Sequence, residues 1–201
     1  MQIGPRYKKA RYLGVPIFPK TQTQKYSMRL QRKSKNLSRK GGKSEYGKQM
    51  MEKQKARFSY GIGGRQFTNY VKKALKATGD NGKNLLSILE SRLDNTIVRA
   101  GFAPTHSAAR QMVSHGHIAV NGVNVRVPSH QVRVGDTLTI REGSKSKVLF
   151  AKLDEQLKAN KHPNWLSVDE KTKTIKIIGK PTNESTELLF DVGAVLEFYT
   201  R

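Results

Sequence analysis

Cysteine is absent from all 201 residues, so no disulfide and no thiolate-bound metal can hold this fold together. Acid is scarce: 15 Asp+Glu stand against 38 Lys+Arg, a formal net charge of +23. No uninterrupted apolar run exceeds four residues, which predicts neither a membrane-spanning helix nor the apolar region of a secretory signal. There is a single tryptophan. What the chain has in excess is positive charge. A compact protein so charged repels itself unless a polyanion neutralises it, so the expected partner is nucleic acid and not a membrane, and the missing cysteines fit an intracellular protein without requiring one.

The charge is unevenly placed. Residues 1–57 hold 17 Lys+Arg and two acids, whereas the remaining 144 hold 21 and 13. The first 43 residues carry Gly4-Pro5, Pro16, Pro19 and Gly41-Gly42, with few aliphatic side chains at a regular period. Such a segment predicts an extended basic arm that orders on its partner, with Tyr7, Tyr12, Phe18 and Tyr26 offering flat faces for stacking on bases.

Regular structure is expected from Ser44, which is placed to cap a helix over Glu45–Arg57. A second helix, Arg65 to Ala77, aligns Phe67, Tyr70, Val71, Ala74 and Leu75, with its start delayed or loosened by Gly63-Gly64. Leu85, Leu89, Leu93 and Ile97 recur every four residues and predict one or two further helices. After Pro104, Thr105 is the expected N-cap of a short helix ending before Gly116. The period then changes to two. Ile118 and Val120 lead through Asn121-Gly122 into Val123, Val125 and Val127, a hairpin pattern, and Val132 to Ile140 extends an antiparallel sheet. Lys173–Ile178 predicts one more strand over a Trp165 anchor, and the apolar residues Val195 to Tyr199 fit either a strand or a short helix.

The fold class is therefore α+β. Its expected divisions are an arm over 1–43, a helical domain over 44–90 completed by 182–201, and a helical hairpin on a small sheet, with its following strands, over 91–181.

Other chemistry finds little support. His115 and His117 could pair on a metal, but a site needs further ligands, so no metal and no cofactor are expected. Gly42-Lys43-Ser44 lacks the earlier glycine of a phosphate loop, and Gly61-Ile62-Gly63-Gly64 lacks the spacing of a dinucleotide fold. No Gly-x-Ser-x-Gly elbow occurs. About 60 residues follow Arg141, too few to expect a catalytic domain, so the chain is read as a non-enzyme.

Ser91-Arg92-Leu93-Asp94-Asn95, Gly101-Phe102, Ala109-Arg110-Gln111, Val113 to Ile118 and Val120-Asn121-Gly122 resemble the S4 RNA-binding domain. That module also occurs in RNA-modifying enzymes, tyrosyl-tRNA synthetases and free-standing RNA-binding factors, the last being the alternative reading. Ser44-Glu45-Tyr46-Gly47, Glu52-Lys53-Gln54-Lys55, Arg65-Gln66-Phe67, Asn84-Leu85-Leu86 and the terminal Glu197-Phe198-Tyr199 are similar to the full small-subunit ribosomal protein S4 (uS4) family, of bacterial or organellar type. The resemblance implies a primary binder of small-subunit rRNA that nucleates assembly near the mRNA entry channel and bears on translational accuracy. It further implies ribosomal proteins S5 and S3 as neighbours, a place in a cytoplasmic or organellar ribosome, no homo-oligomer, and a helix for the C-terminal segment.

A-form RNA hides its base edges in a deep, narrow groove, so fixed basic faces read shape, phosphates and 2′-hydroxyls. Arg92 and Arg110 are the expected phosphate forks, with ion pairing of Arg92 to Glu90 or Asp94 as the alternative. His106, Gln111, Ser114 and His115 lie along the helix that opens at Thr105. Tyr46, Lys48, Lys53, Lys55, Arg57 and Arg65 extend the basic surface, and Arg11, Arg39, Lys40 and Lys43 serve the arm. Two departures from the family stand out. There are no thiolates for the zinc knuckle that many members carry, and His106 replaces a frequent arginine, which leaves that phosphate contact weaker or pH-dependent in expectation.

Overall fold

The computed structural model describes residues 3–34, 44–151, 153, 156–157, 162–181 and 188–200. In chain order its helices are α1 (Arg6–Leu13), α2 (Gln24–Ser34), α3 (Glu45–Ser59), α4 (Gly64–Lys76), α5 (Asn81–Glu90), α6 (Leu93–Arg99), α7 (His106–Ser114) and α8 (Val192–Thr200). The strands are β1 (Ile118–Val120), β2 (Val123–Asn124), β3 (Thr137–Ile140), β4 (Leu166–Asp169) and β5 (Thr174–Ile177). Two compact units result, Met1–Gly82 with Glu187–Arg201, and Lys83–Thr186.

In the first unit the N-terminal segment is not extended. Residues 6–13 and 24–34 are helical, and Ala10, Leu13, Ile17, Phe18 and Tyr26 are buried in one cluster with Phe58 of α3, to which Met51 adds. Local propensity underestimates this segment because its apolar residues are few and broken up by prolines. They become a core only when α3 supplies the opposing face. Phe18 and Tyr26 therefore serve packing, while Tyr7 and Tyr12 stay exposed. Ser44 caps α3 by accepting from the Gly47 N–H at 3.2 Å. α4 starts at Gly64, without the expected delay, and buries Phe67, Val71 and Ala74. The C-terminal segment is a helix lying along α3. Gln49 donates to Glu197 at 2.9 Å, Tyr46 packs on Phe198, and Thr68 and Tyr199 share a hydroxyl contact at 3.1 Å.

The second unit carries a five-stranded antiparallel sheet in the order β2-β1-β3-β5-β4. Asn121 and Gly122 take positive φ values of 49° and 80°, the geometry of the tight hairpin turn that joins β1 to β2. One face of the sheet meets α6 and α7 in a core that includes Leu93, Ile97, Phe102, Met112, Val113, Ile118, Leu138, Ile140, Trp165 and Ile175. The units divide after Gly82, not after residue 90, because the end of α5 is bound into the second unit: the Glu90 carboxylate accepts from Asn95 and Arg99.

That contact belongs to a buried polar network. Arg92 is 1% exposed and forks Asp94, itself 0% exposed, through Nε at 2.9 Å and Nη2 at 2.6 Å. Arg110 reaches the same carboxylate from α7 at 2.8 Å. Alongside, Arg99 forks Glu90 at 2.7 and 2.9 Å, and Asn95 donates to Glu90 at 2.6 Å. Because the Asn95 amide nitrogen is committed to Glu90, its oxygen is the acceptor for His106 Nε2 at 2.9 Å, which sets that imidazole as the Nε2–H tautomer. Burial lowers the His106 pKa to about 4, Arg99 and Arg110 push the same way, and Asp94 and Glu90 oppose them.

Three outcomes follow for stability. Asp94→Asn strands the buried Arg92 guanidinium and frees the partly solvated Arg110, and is expected to cost about 3–5 kcal/mol in urea unfolding. Arg110→Gln removes a partly solvated partner and should cost only about 1 kcal/mol. The folded pKa of His106 lies below its unfolded value of 6.5. The unfolded chain therefore takes up the proton first, and stability is lost as pH falls from about 6.5 towards 4. In His106→Gln this acid loss should shrink by about 1–3 kcal/mol, measured by denaturant unfolding at several pH values.

Candidate nucleic-acid interface

Two of the expected contacts are turned inward. Arg92 is consumed by Asp94 and has no face for phosphate, because an unpaired carboxylate at that depth would be far more costly than a lost surface contact. His106 is partly buried against Asn95 and stays neutral from about pH 6 to 8, so it is not the pH-dependent phosphate ligand expected at that position. Arg110 is intermediate: its side chain is half-buried and ion-paired to Asp94.

The outer stripe of α7 does face solvent. Thr105 caps the helix by accepting from the Ala108 N–H at 3.1 Å. Ala109, Met112 and Val113 point into the core, which leaves Gln111, Ser114 and His115 exposed together at helical spacing. Past the helix, Gly116 takes a φ of +70°, a left-handed conformation that favours glycine, with the side chains of Arg126 and Asn124 close to where a Cβ would stand. The His115 and His117 rings lie nearly parallel with centroids 6.0 Å apart. His117 Nδ1 meets the Ser144 hydroxyl at 2.9 Å. Burial first, then Lys147, His115 and Arg141, lower the His117 pKa, which marks a concentration of positive charge around this ring. A shallow cavity of about 240 Å³ opens between Gln111, His115, His117 and Leu149.

Sequence reasoning overlooked Arg126, Arg141 and Lys147. Arg126 is exposed, but so are Val123 and Val127 around it, so the expected alternation did not single it out, and only the folded loops bring Arg141 and Lys147 to His117.

In the first unit the expected cations differ in what they already hold. Arg65 is exposed. Lys48 sits 3.2 Å from Glu45 in a solvated pair, whereas Lys55 is bound to Glu52 at 2.6 Å with little exposure. Lys53 lies over the rings of Phe198 and Tyr199 at 4.2 and 5.0 Å, and the Arg57 guanidinium over Phe58 at 4.6 Å. Burial lowers the Arg57 pKa. Tyr46 is exposed beside Phe198, and Arg11 is exposed on α1 with its Nε donating to the Tyr7 carbonyl at 3.4 Å. Arg39, Lys40 and Lys43 fall outside the described residues. Among the described residues, no helix is long and apolar enough to cross a membrane, and no three His, Asp or Glu side chains gather as a metal site.

The first 90 residues match the model of the ribosomal protein S4/S9 N-terminal domain over 2–90, and residues 91–138 match that of the S4 domain. The small ribosomal subunit protein uS4 of Chlorobium limicola is 39% identical over 200 residues, 98% of either chain. The uS4B protein of Nitrosomonas europaea is 42% identical over 199 residues, 98% of this chain and 96% of its own, and uS4 of Syntrophomonas wolfei is 43% identical over 158 residues, 79% and 76%. With similarity running through both units at this level, the chain belongs to the uS4 family of small ribosomal subunit proteins.

Proposed function

We propose that this protein is a structural component of the small ribosomal subunit that binds small-subunit rRNA through fixed cationic faces and carries out no catalysis. The observation that carries this reading, beside family membership, is where the acids are. Asp94 and Glu90 are buried under arginines and Glu52 is tied to Lys55, so these carboxylates are spent inside the protein and the exposed cations are left for a polyanion. Gln111, Ser114 and His115, with Arg126, Arg141 and Lys147 beyond them, form one RNA-facing surface in the second unit. In the first unit Arg65, Lys48 and Tyr46 are the accessible contacts. In this reading the protein is a primary binder that helps nucleate assembly near the mRNA entry channel, with S5 and S3 as neighbours and a contribution to accuracy. Presentation on helices and a rigid turn suits recognition of folded RNA by shape, because fixed donors meet phosphates and 2′-hydroxyls without further ordering.

Sedimentation tests the reading. The protein should remain with small subunits through a high-salt wash; release by salt would instead mark a free-standing RNA-binding factor. In binding to purified small-subunit rRNA, Arg65→Gln and Lys48→Gln should each lower the slope of log affinity against log salt by about 0.7–0.9. A combined Gln111→Ala, Ser114→Ala, His115→Ala variant should weaken binding by about tenfold at unchanged melting temperature, the scale of one or two lost polar contacts. His106→Gln should bind like the unaltered protein at both pH 6 and pH 8, checked by the same filter-binding assay.

A further inference from the structure

α1 and α2 enclose a cavity of about 370 Å³ that is lined by Tyr7, Arg11, Lys25, Tyr26 and Arg29, among others. Three features make it more than a crevice. The Tyr26 side chain is 8% exposed, and its hydroxyl has no hydrogen-bond partner among the described residues. A buried hydroxyl left unsatisfied costs more than a typical hydrogen bond contributes, so such a group calls for a partner beyond the described side chains around it. Next, the wall carries three cations and no acid, and no Asp or Glu occurs anywhere in residues 1–44 to neutralise them. Arg11 donates its Nε to the Tyr7 carbonyl of its own helix at 3.4 Å. Third, Tyr7 is 51% exposed and stands 5.8 Å from Tyr26 between ring centroids, so one aromatic face is open at the mouth while the other ring forms the floor.

The spacing is helical on both sides. Tyr7 and Arg11 stand four residues apart on α1, as do Lys25 and Arg29 on α2, so each helix turns one pair of side chains to the shared cavity. A stacking face, forked donors and a buried hydroxyl are together the chemistry of a single nucleotide: base on the ring, phosphate on the guanidinium groups, ribose or phosphate oxygen on the hydroxyl. The volume is of nucleotide size and too small for a duplex.

We propose that this cavity takes one unstacked nucleotide of the bound RNA, with Tyr7 stacking on the base, Arg11, Lys25 and Arg29 holding its phosphate, and the Tyr26 hydroxyl completing the contact. The inference rests on the RNA-binding reading above. It gives the N-terminal helices a task beyond supplying diffuse charge: they recognise a splayed nucleotide in a single-stranded bulge or loop. Arg11 drawn close also accounts for the electrostatic pull on Tyr26, whose pKa burial otherwise raises.

The test uses the full chain. Tyr26→Phe removes one oxygen and keeps the ring, so it should leave the unfolding midpoint unchanged or raise it, while weakening affinity for small-subunit rRNA about fivefold. Tyr7→Leu should weaken it by about tenfold, the scale of one lost base stack, and Arg29→Gln should lower the salt slope by about 0.7. In a second arm, a hexauridylate should shift the ring NMR signals of Tyr7 and Tyr26. Inorganic phosphate at the same phosphate concentration should not. Full rRNA affinity in all three variants would overturn the pocket and leave the ribosomal reading standing, and so would phosphate alone reproducing the hexauridylate shifts. Failure of the unaltered protein to bind small-subunit rRNA would overturn both.

Discussion

Asp94 is a carboxylate with no access to water, and much of the second unit is arranged around supplying its partners. Arg92 forks it from one side and Arg110 from α7 on the other, which fixes how α7 sits against α6. The segment after β2 is held to the same place, with the Leu93 N–H donating to His130 O at 2.8 Å and the Val132 N–H to Ser91 O at 2.8 Å. Glu90 does the same for the end of α5 through Arg99 and Asn95. A buried ion network of this kind is weak evidence for stability, since apolar residues could fill the space as well. Its contribution here is geometric: charges that tolerate only one pairing set the register of three helices.

The network also explains what the surface is free to do. Burying Asp94 and Glu90 keeps acid away from the exposed stripe of α7, and Arg141 and Lys147 in the loops around His117 are left to supply positive charge. Positioning and contact are thereby divided between different residues of one short helix. Ala109, Met112 and Val113 fix its place, Arg110 ties it to Asp94, and Gln111, Ser114 and His115 are left to meet a ligand.

The N-terminal segment shows the same economy with fewer means. Its apolar side chains would be insufficient alone, yet α3 offers Phe58 and Met51, and a small satellite core forms with Ala10 and Leu13 fully or almost fully buried. The cations that remain outside are then carried on helices, and a cavity with an unsatisfied hydroxyl is left between them. An extended arm would have no such concavity to offer.

Composition and period were enough to read several features of this protein: an α+β fold, the Ser44 and Thr105 caps, the Asn121-Gly122 turn and the strand before it, although the strand after it stops at Asn124, short of Val125 and Val127. All of these rest on interactions a few residues apart, which a linear sequence states directly. The choice between phosphate and Asp94 for Arg92 was beyond it, because a guanidinium suits both equally and only burial decides. The neutral state of His106 likewise depends first on burial, with Arg99 and Arg110 favouring it and Asp94 and Glu90 opposing it, groups brought together from α5, α6 and α7. The helical N-terminal segment depended on α3, and the cavity on two helices meeting. Tertiary structure alone settled these, since burial and unsatisfied polar atoms are properties of packed surfaces and have no signature in residue order.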